Sequence, residues 1–404
     1  MKIFIKIAKN IKLTTMKLRT LFYAIPVIFF SCNQEKSEVK ETTTVKIPLI
    51  ESSNKNELDK FLSGIEFSFT PLETTSQTIF GGGSKVYVTT NNDILICDKR
   101  GSKILRYDSN GNFLNNISVQ GEGPEEYISI RDIALDDDKV YILDPVKILV
   151  YSLDGSFERK IQVNKRSNQI AVMSDKNILT TCLHTFDNQV TIYNQEGEIL
   201  TEYMPPREIL KLYPFGAYST FNSTGNYKDA TYFTTYFNNS IYCVKDSVEK
   251  IAEFDFGENN IPSEFFDCET KEQFDANFQT YRSKSSMGID KLTLTDNWII
   301  FTPQVTRDGG YSIYYNRDKD VSFSNIDFRF PYDKLLSWYP ASNGYLAQND
   351  QFYRLINVSD LKDVLEELSE QKDFADRYPS LSNISYKEID EDDNDWVMFF
   401  KLKY

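Results

Sequence analysis

Lys103-Ile-Leu-Arg-Tyr-Asp-Ser-Asn-Gly-Asn-Phe-Leu-Asn115 returns 44 positions later as Lys147-Ile-Leu-Val-Tyr-Ser-Leu-Asp-Gly-Ser-Phe-Glu-Arg159. Gln189-Val-Thr-Ile-Tyr-Asn-Gln-Glu-Gly197 follows 42 residues after the second copy, so Tyr107, Tyr151 and Tyr193 occupy equivalent positions, as do Gly111, Gly155 and Gly197. Two weaker copies, Ser240-Ile-Tyr-Cys-Val-Lys-Asp246 and Ser312-Ile-Tyr-Tyr-Asn-Arg-Asp318, place Tyr242 and Tyr314 at the same site, with Asp in place of the glycine. Within each copy two unlike faces alternate, as Ile104, Arg106 and Asp108 do against Leu105 and Tyr107. The Asn-Gly or Asp-Gly step supplies the positive φ of a tight hairpin.

Further apolar segments precede each hairpin. Ile94–Asp98 and Val140–Asp144 end in Asp, and before them lie the shorter Ser84–Val88 and Ile130–Leu135. Four strands at a period of 40 to 50 residues make a propeller blade. The sequence therefore predicts an all-β fold, a six-bladed β-propeller of four-stranded antiparallel blades over residues 47–404. The blades fall at 84–120, 128–164, 168–204, 216–258, 287–328 and 330–404. The last blade is expected to use strands at 384–389 and 396–402, joined by the acidic turn 390–395, and to be completed by the isolated strand 65–72, which leaves no open sheet edge. The 25 Tyr and 29 Phe suit pleated, half-buried surfaces between stacked sheets.

Helical insertions are expected at about 54–63, 262–283 and 360–378. Asn54 with Glu57, and Thr270 with Gln273, read as capping pairs. Leu58, Phe61 and Leu62 in the first helix, and Leu361, Val364, Leu365 and Leu368 in the third, have helical spacing, and packing is the primary reading of these apolar faces.

At the other end, Met16–Cys32 has a basic start, an apolar run of about ten residues and a small residue before Cys, the form of a bacterial lipoprotein signal. Residues 1–31 are read as that signal, with Met16 the better start. Cys32 would carry the lipid, and residues 32–46, rich in Glu, Lys, Thr and Ser, form a polar tether. This implies a cell-envelope location on the outer membrane, facing either the periplasm or the surface. The chain carries a net charge of −14. Residues 1–31 hold six Lys and Arg and no acid, so the remainder has 39 basic against 59 acidic residues, a net charge of about −20. Nucleic acid and anionic polymers are disfavoured as partners.

The lipobox-like Cys32, the tether, the repeated Ile-x-x-Tyr hairpin, Gly121-Glu-Gly-Pro-Glu-Glu-Tyr127, and the acidic turn before Trp396–Leu402 together resemble the six-bladed β-propeller lipoproteins of Gram-negative bacteria, related to NHL-repeat propellers. The resemblance implies the fold and an envelope location, and in such propellers the face bearing the connections between blades usually binds ligands. Arg100, Glu125, Glu126, Tyr127, Arg131, His184 and Arg307 are therefore the rim candidates. The Gly121–Tyr127 stretch also has a purely structural reading: two glycines and a proline form a tight crossing, with the Glu side chains on backbone amides and Tyr127 in the seam.

Catalytic inventory is thin. His184 is the single histidine, which rules out multi-histidine metal sites, and no Gly-x-Ser-x-Gly elbow or phosphate-cradling loop occurs. No cofactor or metal is expected, and Cys97, Cys182, Cys243 and Cys268 lack paired spacing. The reading is a monomeric binding module for a small molecule, glycan or peptide, or for an envelope protein. The alternatives are a carboxylate-based glycan hydrolase or lyase, a calcium-dependent hydrolase, and a structural subunit of an envelope complex.

Overall fold

Six sheets, the first five of which carry the five repeat copies, form the frame in the computed structural model, which describes residues 43–47, 54–117, 120–182, 188–205, 223–235, 237–245, 247–305, 311–336, 346–348 and 351–404. In chain order the first sheet is Lys85–Val88, Ile94–Asp98, Lys103–Tyr107 and Phe113–Asn116, and the second Asp132–Asp136, Lys139–Leu143, Lys147–Ser152 and Phe157–Gln162. The third is Gln169–Val172, Ile178–Thr181, Val190–Tyr193 and Ile199–Tyr203, and the fourth Thr224–Tyr227, Ala230–Phe233, Ser240–Val244 and Val248–Asp255. The fifth is Ile289–Leu294, Trp298–Pro303, Ile313–Asn316 and Val321–Ser324. In each, consecutive strands pair antiparallel.

The sixth sheet joins both ends of the chain. Leu346–Gln348, Gln351–Ile356 and Trp396–Leu402 are followed in the sheet by Ile65–Thr70, which pairs antiparallel with the last strand from Ile65 opposite Leu402 to Thr70 opposite Val397. A strand early in the sequence thus completes the sheet begun last, and neither strand leaves its partner's polar edge bare.

The repeat residues have visible duties. Tyr107 meets Phe113 edge-on at 5.8 Å, and Tyr151 meets Phe157 in the same way at 5.6 Å, so in the first two copies this Tyr and Phe lock the third strand to the fourth. The hydroxyls of Tyr107 and Tyr151 reach into the segment that enters their own sheet: Tyr107 donates to Thr78 O at 3.2 Å and Tyr151 to Glu125 O. Gly111 and Gly155 have φ of +84° and +92°; at Gly111 a Cβ would also stand 1.8 Å from Pro71 O. The Asp at or just past the end of the second strand, Asp98 or Asp144, is buried and gathers backbone amides. Asp98 accepts from the N–H groups of Gly81, Arg100 and Gly101, and Asp144 from those of Ile128 and Val146.

Helices brace this frame. Lys55–Ser63 starts at Asn54, whose side chain accepts from Asn56 N. Its Phe61 stacks on Phe323 at 4.3 Å and touches Trp298, Tyr314 and Phe328, joining the fifth sheet to the core it shares with the sixth. Lys271–Tyr281 carries the complete Thr270–Gln273 capping box and buries Phe274 and Phe278 against Phe237 and Phe265.

Three expectations need correction. The third helix runs over Val358–Ser369 and does not continue to 378; separate short turns cover Phe374–Arg377 and Pro379–Ser382, and Pro379 keeps Tyr378, at φ −133° and ψ 62°, out of the helical region between those two turns. Residues 384–389 form no strand. They hold a 3₁₀ turn, Tyr386–Glu388, with Ile384, Tyr386 and Ile389 packed on the core around that helix, so their apolar spacing serves helix packing. The polar tether ends before 46: Thr43–Lys46 is a fifth strand on the fourth sheet, parallel to Ala252–Asp255, with Val45 and Ile47 buried. Its Thr-x-Val-x-Ile alternation lay hidden in a segment of polar composition.

Candidate functional site

The first strands of successive sheets lie side by side: that of the second beside that of the third, third beside fourth, fourth beside fifth, and fifth beside sixth. Where the first five converge they enclose a cavity of about 290 Å³. Its lining includes the apolar Ile133, Ala134, Ala171, Leu292 and Leu294 and the aromatic Tyr87, Tyr232 and Tyr353.

Polar residues enter where the first strands begin. Lys85, Asp132 and Gln169 open the first strands of the first three sheets and occupy one register position, opposite Cys97, Leu143 and Thr181. Thr224 opens that of the fourth and Asp290 is the second residue of the fifth. The copies agree at their Tyr and turn positions and differ here.

Asp132 is the hub. Its side chain is only 6% exposed, and Oδ1 accepts from Lys85 Nζ at 3.0 Å, Tyr87 OH at 3.4 Å and Lys99 Nζ at 3.5 Å. Oδ2 takes the Ile170 N–H at 3.4 Å. Burial alone would push the Asp132 carboxyl up, but the two ammonium groups and these hydrogen bonds prevail and hold it below the usual carboxylate range. Burial likewise pulls on Lys85, and the Asp132 charge overcomes it, leaving the ammonium more basic than an ordinary lysine. For Lys99 burial wins and the direction is downward. Burial drives Tyr87 well above its normal value, with the Asp132 charge adding to the shift, so its phenol stays protonated and donates.

Asp290 is held differently. It accepts from Lys291 N at 2.8 Å, Gln304 Nε2 at 2.9 Å and Ser223 Oγ at 3.4 Å, while burial pushes its carboxyl upward. Gln169 and Thr224 are linked, with Thr224 Oγ1 donating to Gln169 Oε1 at 3.2 Å.

The rim candidates lie elsewhere. Arg100 and Arg131 are exposed, and neither lines the cavity, although the Arg131 carbonyl accepts from Lys99 Nζ. Glu126 turns inward to the Gly123 N–H at 2.8 Å, Tyr127 is fully buried with its hydroxyl on Ser102 O, and Glu125 offers its carbonyl to Tyr151. The Gly121–Tyr127 stretch is thus tied into the crossing between the first two sheets. His184, Arg307 and Cys32 lie outside the described residues. Sequence reasoning missed Lys85, Lys99, Asp132, Gln169 and Asp290. The available clue was a charged residue at the start of an otherwise apolar strand, where Asp and Lys are depleted.

No curated protein matches the sequence. Among solved structures, a protein of Bacteroides fragilis described as exported superposes with a TM-score of 0.71 at 19% identity, covering 90% of this chain and 100% of its own. A DUF4221 family member from Bacteroides vulgatus gives 0.49 at 12% identity over 84% and 98% of the two chains, and virginiamycin B lyase from Staphylococcus aureus 0.40 at 9% over 79% and 80%. The first shares the fold; the other two are too distant to carry an argument. A family model matches residues 43–401, from the added strand of the fourth sheet to the last strand of the chain, and the chain therefore belongs to the family described as a domain of unknown function, DUF4934.

Proposed function

We propose that this chain is a six-bladed propeller serving as a ligand-binding module of the cell envelope, with the cavity among its first strands as the binding site. The observation that carries the reading is the contrast between copies. Tyr, Phe, Gly and Asp recur where the frame needs them, while the equivalent positions facing the cavity hold Lys85, Asp132 and Gln169. Charged groups at the heads of buried strands cost desolvation, which packing alone gives no reason to incur.

Six sheets, with Ile65–Thr70 completing the last of them, support the blade count and ring closure. The Met16–Cys32 pattern supports export and lipid anchoring at Cys32 to the outer membrane. The cavity volume sits at the lower end of ligand pockets, which suits a small molecule or one unit of a glycan or peptide. A larger ligand would continue across the rim that carries Arg100, Glu125, Arg131, His184 and Arg307. Asp132 is committed to two lysines, and this favours binding over carboxylate-pair hydrolysis.

The test uses Gly225→Trp. Gly225 lines the cavity and a Cβ there meets nothing within 4 Å, so the indole fills open space. In a thermal-shift screen against small glycans, peptides and their units, ligands that stabilise the wild-type compact unit, Val39–Tyr404, should lose their effect on the variant. Persistence of the shifts in Gly225→Trp would refute the cavity as the site.

A further inference from the structure

Charge accounting around Asp132 leaves a remainder. Two ammonium groups, Lys85 and Lys99, converge on one carboxylate oxygen. Lys99 has a second acceptor in the Arg131 carbonyl. Lys85, which lines the cavity with its side chain 21% exposed, has Asp132 Oδ1 as its one acceptor among the described residues, although an ammonium carries three donors. The Lys85–Lys99–Asp132 group thus holds one more positive than negative charge, beside a cavity in a chain of net charge −14. Asp290 does not supply the balance, because it faces the Lys291 ammonium as its own countercharge and its oxygens accept from Lys291 N, Gln304 and Ser223.

We infer that the ligand of this cavity is an acidic sugar, whose carboxylate docks on Lys85 and completes the two-lysine, two-carboxylate arrangement begun by Asp132. The inference rests on the cavity being the binding site. The remaining wall fits a sugar ring. Gln169, Ser223, Thr224 and Asn226 present an amide and hydroxyl lining for ring hydroxyls, and Tyr87, Tyr232 and Tyr353 give aromatic surface for the ring's apolar face. Extended peptides are bound along open sheet edges or elongated grooves. Here each of the five surrounding strands is an edge strand of its sheet, paired on one side, but a cavity of about 290 Å³ takes one compact unit and not an extended segment.

The experiment is isothermal titration of the full chain with galacturonate and glucuronate, set beside their methyl esters, galactose and glucose, and N-acetyl-alanyl-alanine. At least one sugar acid should bind, and its ester and neutral counterpart should bind at least about tenfold more weakly, the loss expected when a hydrogen bond to a charged group goes unmade. Lys85→Met should impose a similar loss on the acid alone, and Lys85→Arg should restore much of it. The ester comparison needs no variant, so it stands even where a substitution unfolds the protein. Equal binding of acid and neutral sugar, both abolished by Gly225→Trp, would overturn the acidic-sugar inference and leave the cavity reading intact. Binding of the acetylated dipeptide in place of the sugar acids would do the same. Binding of nothing, or binding indifferent to Gly225→Trp, would sink both.

Discussion

Replacing Asp132 by Asn keeps the side chain's shape and removes its charge, which leaves the Lys85 and Lys99 ammonium groups without their anion. Breaking a buried ion pair by deleting one partner costs about 3–5 kcal/mol. Lys99 is 33% exposed and can turn its head group to water, so the lower end, about 3 kcal/mol, applies. Urea unfolding should show this as a lower midpoint with an unchanged slope. The pH dependence has a definite sign. Because Asp132 titrates below its unfolded value, its contribution is complete above the ordinary carboxylate range, about 3.9, and disappears as pH falls through the folded value. Wild type and D132N should therefore differ by a constant amount from about pH 5 to 8 and converge in acid. Lys85 is raised, so its share persists through neutral pH and is lost only as pH rises beyond the lysine range. Lys85→Met in the D132N background removes the stranded charge, and the double variant should recover more than half of the loss. A cost of D132N below about 1 kcal/mol, the scale of an exposed pair, or simple additivity in the double variant, would refute the reasoning.

Three other outcomes follow from the frame. Asp144→Ala strands the Ile128 and Val146 amides that it accepts and should cost about 2 kcal/mol in urea unfolding, near the range for hydrogen bonds to a charged group; no loss would mean that the crossing holds itself. Gly111→Ala should destabilise more than Gly155→Ala, since both need positive φ but the new Cβ meets Pro71 O at 1.8 Å in the first and Asn116 O at 3.1 Å in the second; equal midpoints would contradict this. Burial pushes the Cys97 thiol up to about 12, so iodoacetamide at pH 8 should label the half-buried Cys268 well before Cys97, as read by peptide mass spectrometry; prompt labelling of Cys97 in the native protein would be the contrary result.

Much of the frame was legible because its determinants are local. Positive-φ glycines, the Tyr–Phe pair and the terminal Asp of the second strand each act within one sheet or against the next segment, so they recur at a fixed period. Strand 65–70 could be anticipated because it is an apolar alternation with no neighbour of its own. Segment 384–389 misled because Ile384, Tyr386 and Ile389 fit a pleat as readily as the helix-bound core they join. Thr43–Lys46 was missed because composition masked its alternation. The cavity was invisible for another reason. Lys85, Asp132 and Gln169 are far apart in sequence, and only the convergence of first strands brings them to one space. The rim candidates, chosen from loops, include Glu126 and Tyr127, whose hydrogen bonds within the crossing between sheets give them structural duties that loop position alone does not reveal.

The most direct test of the central claim is where ligand density lies in crystals of the protein soaked with the compound that gives the largest thermal shift. The expected result is density in the cavity among the first strands, within hydrogen-bond distance of Lys85 Nζ. Density on the outer rim at Arg100, or on the outer faces of the sheets with the cavity left to solvent, would contradict it.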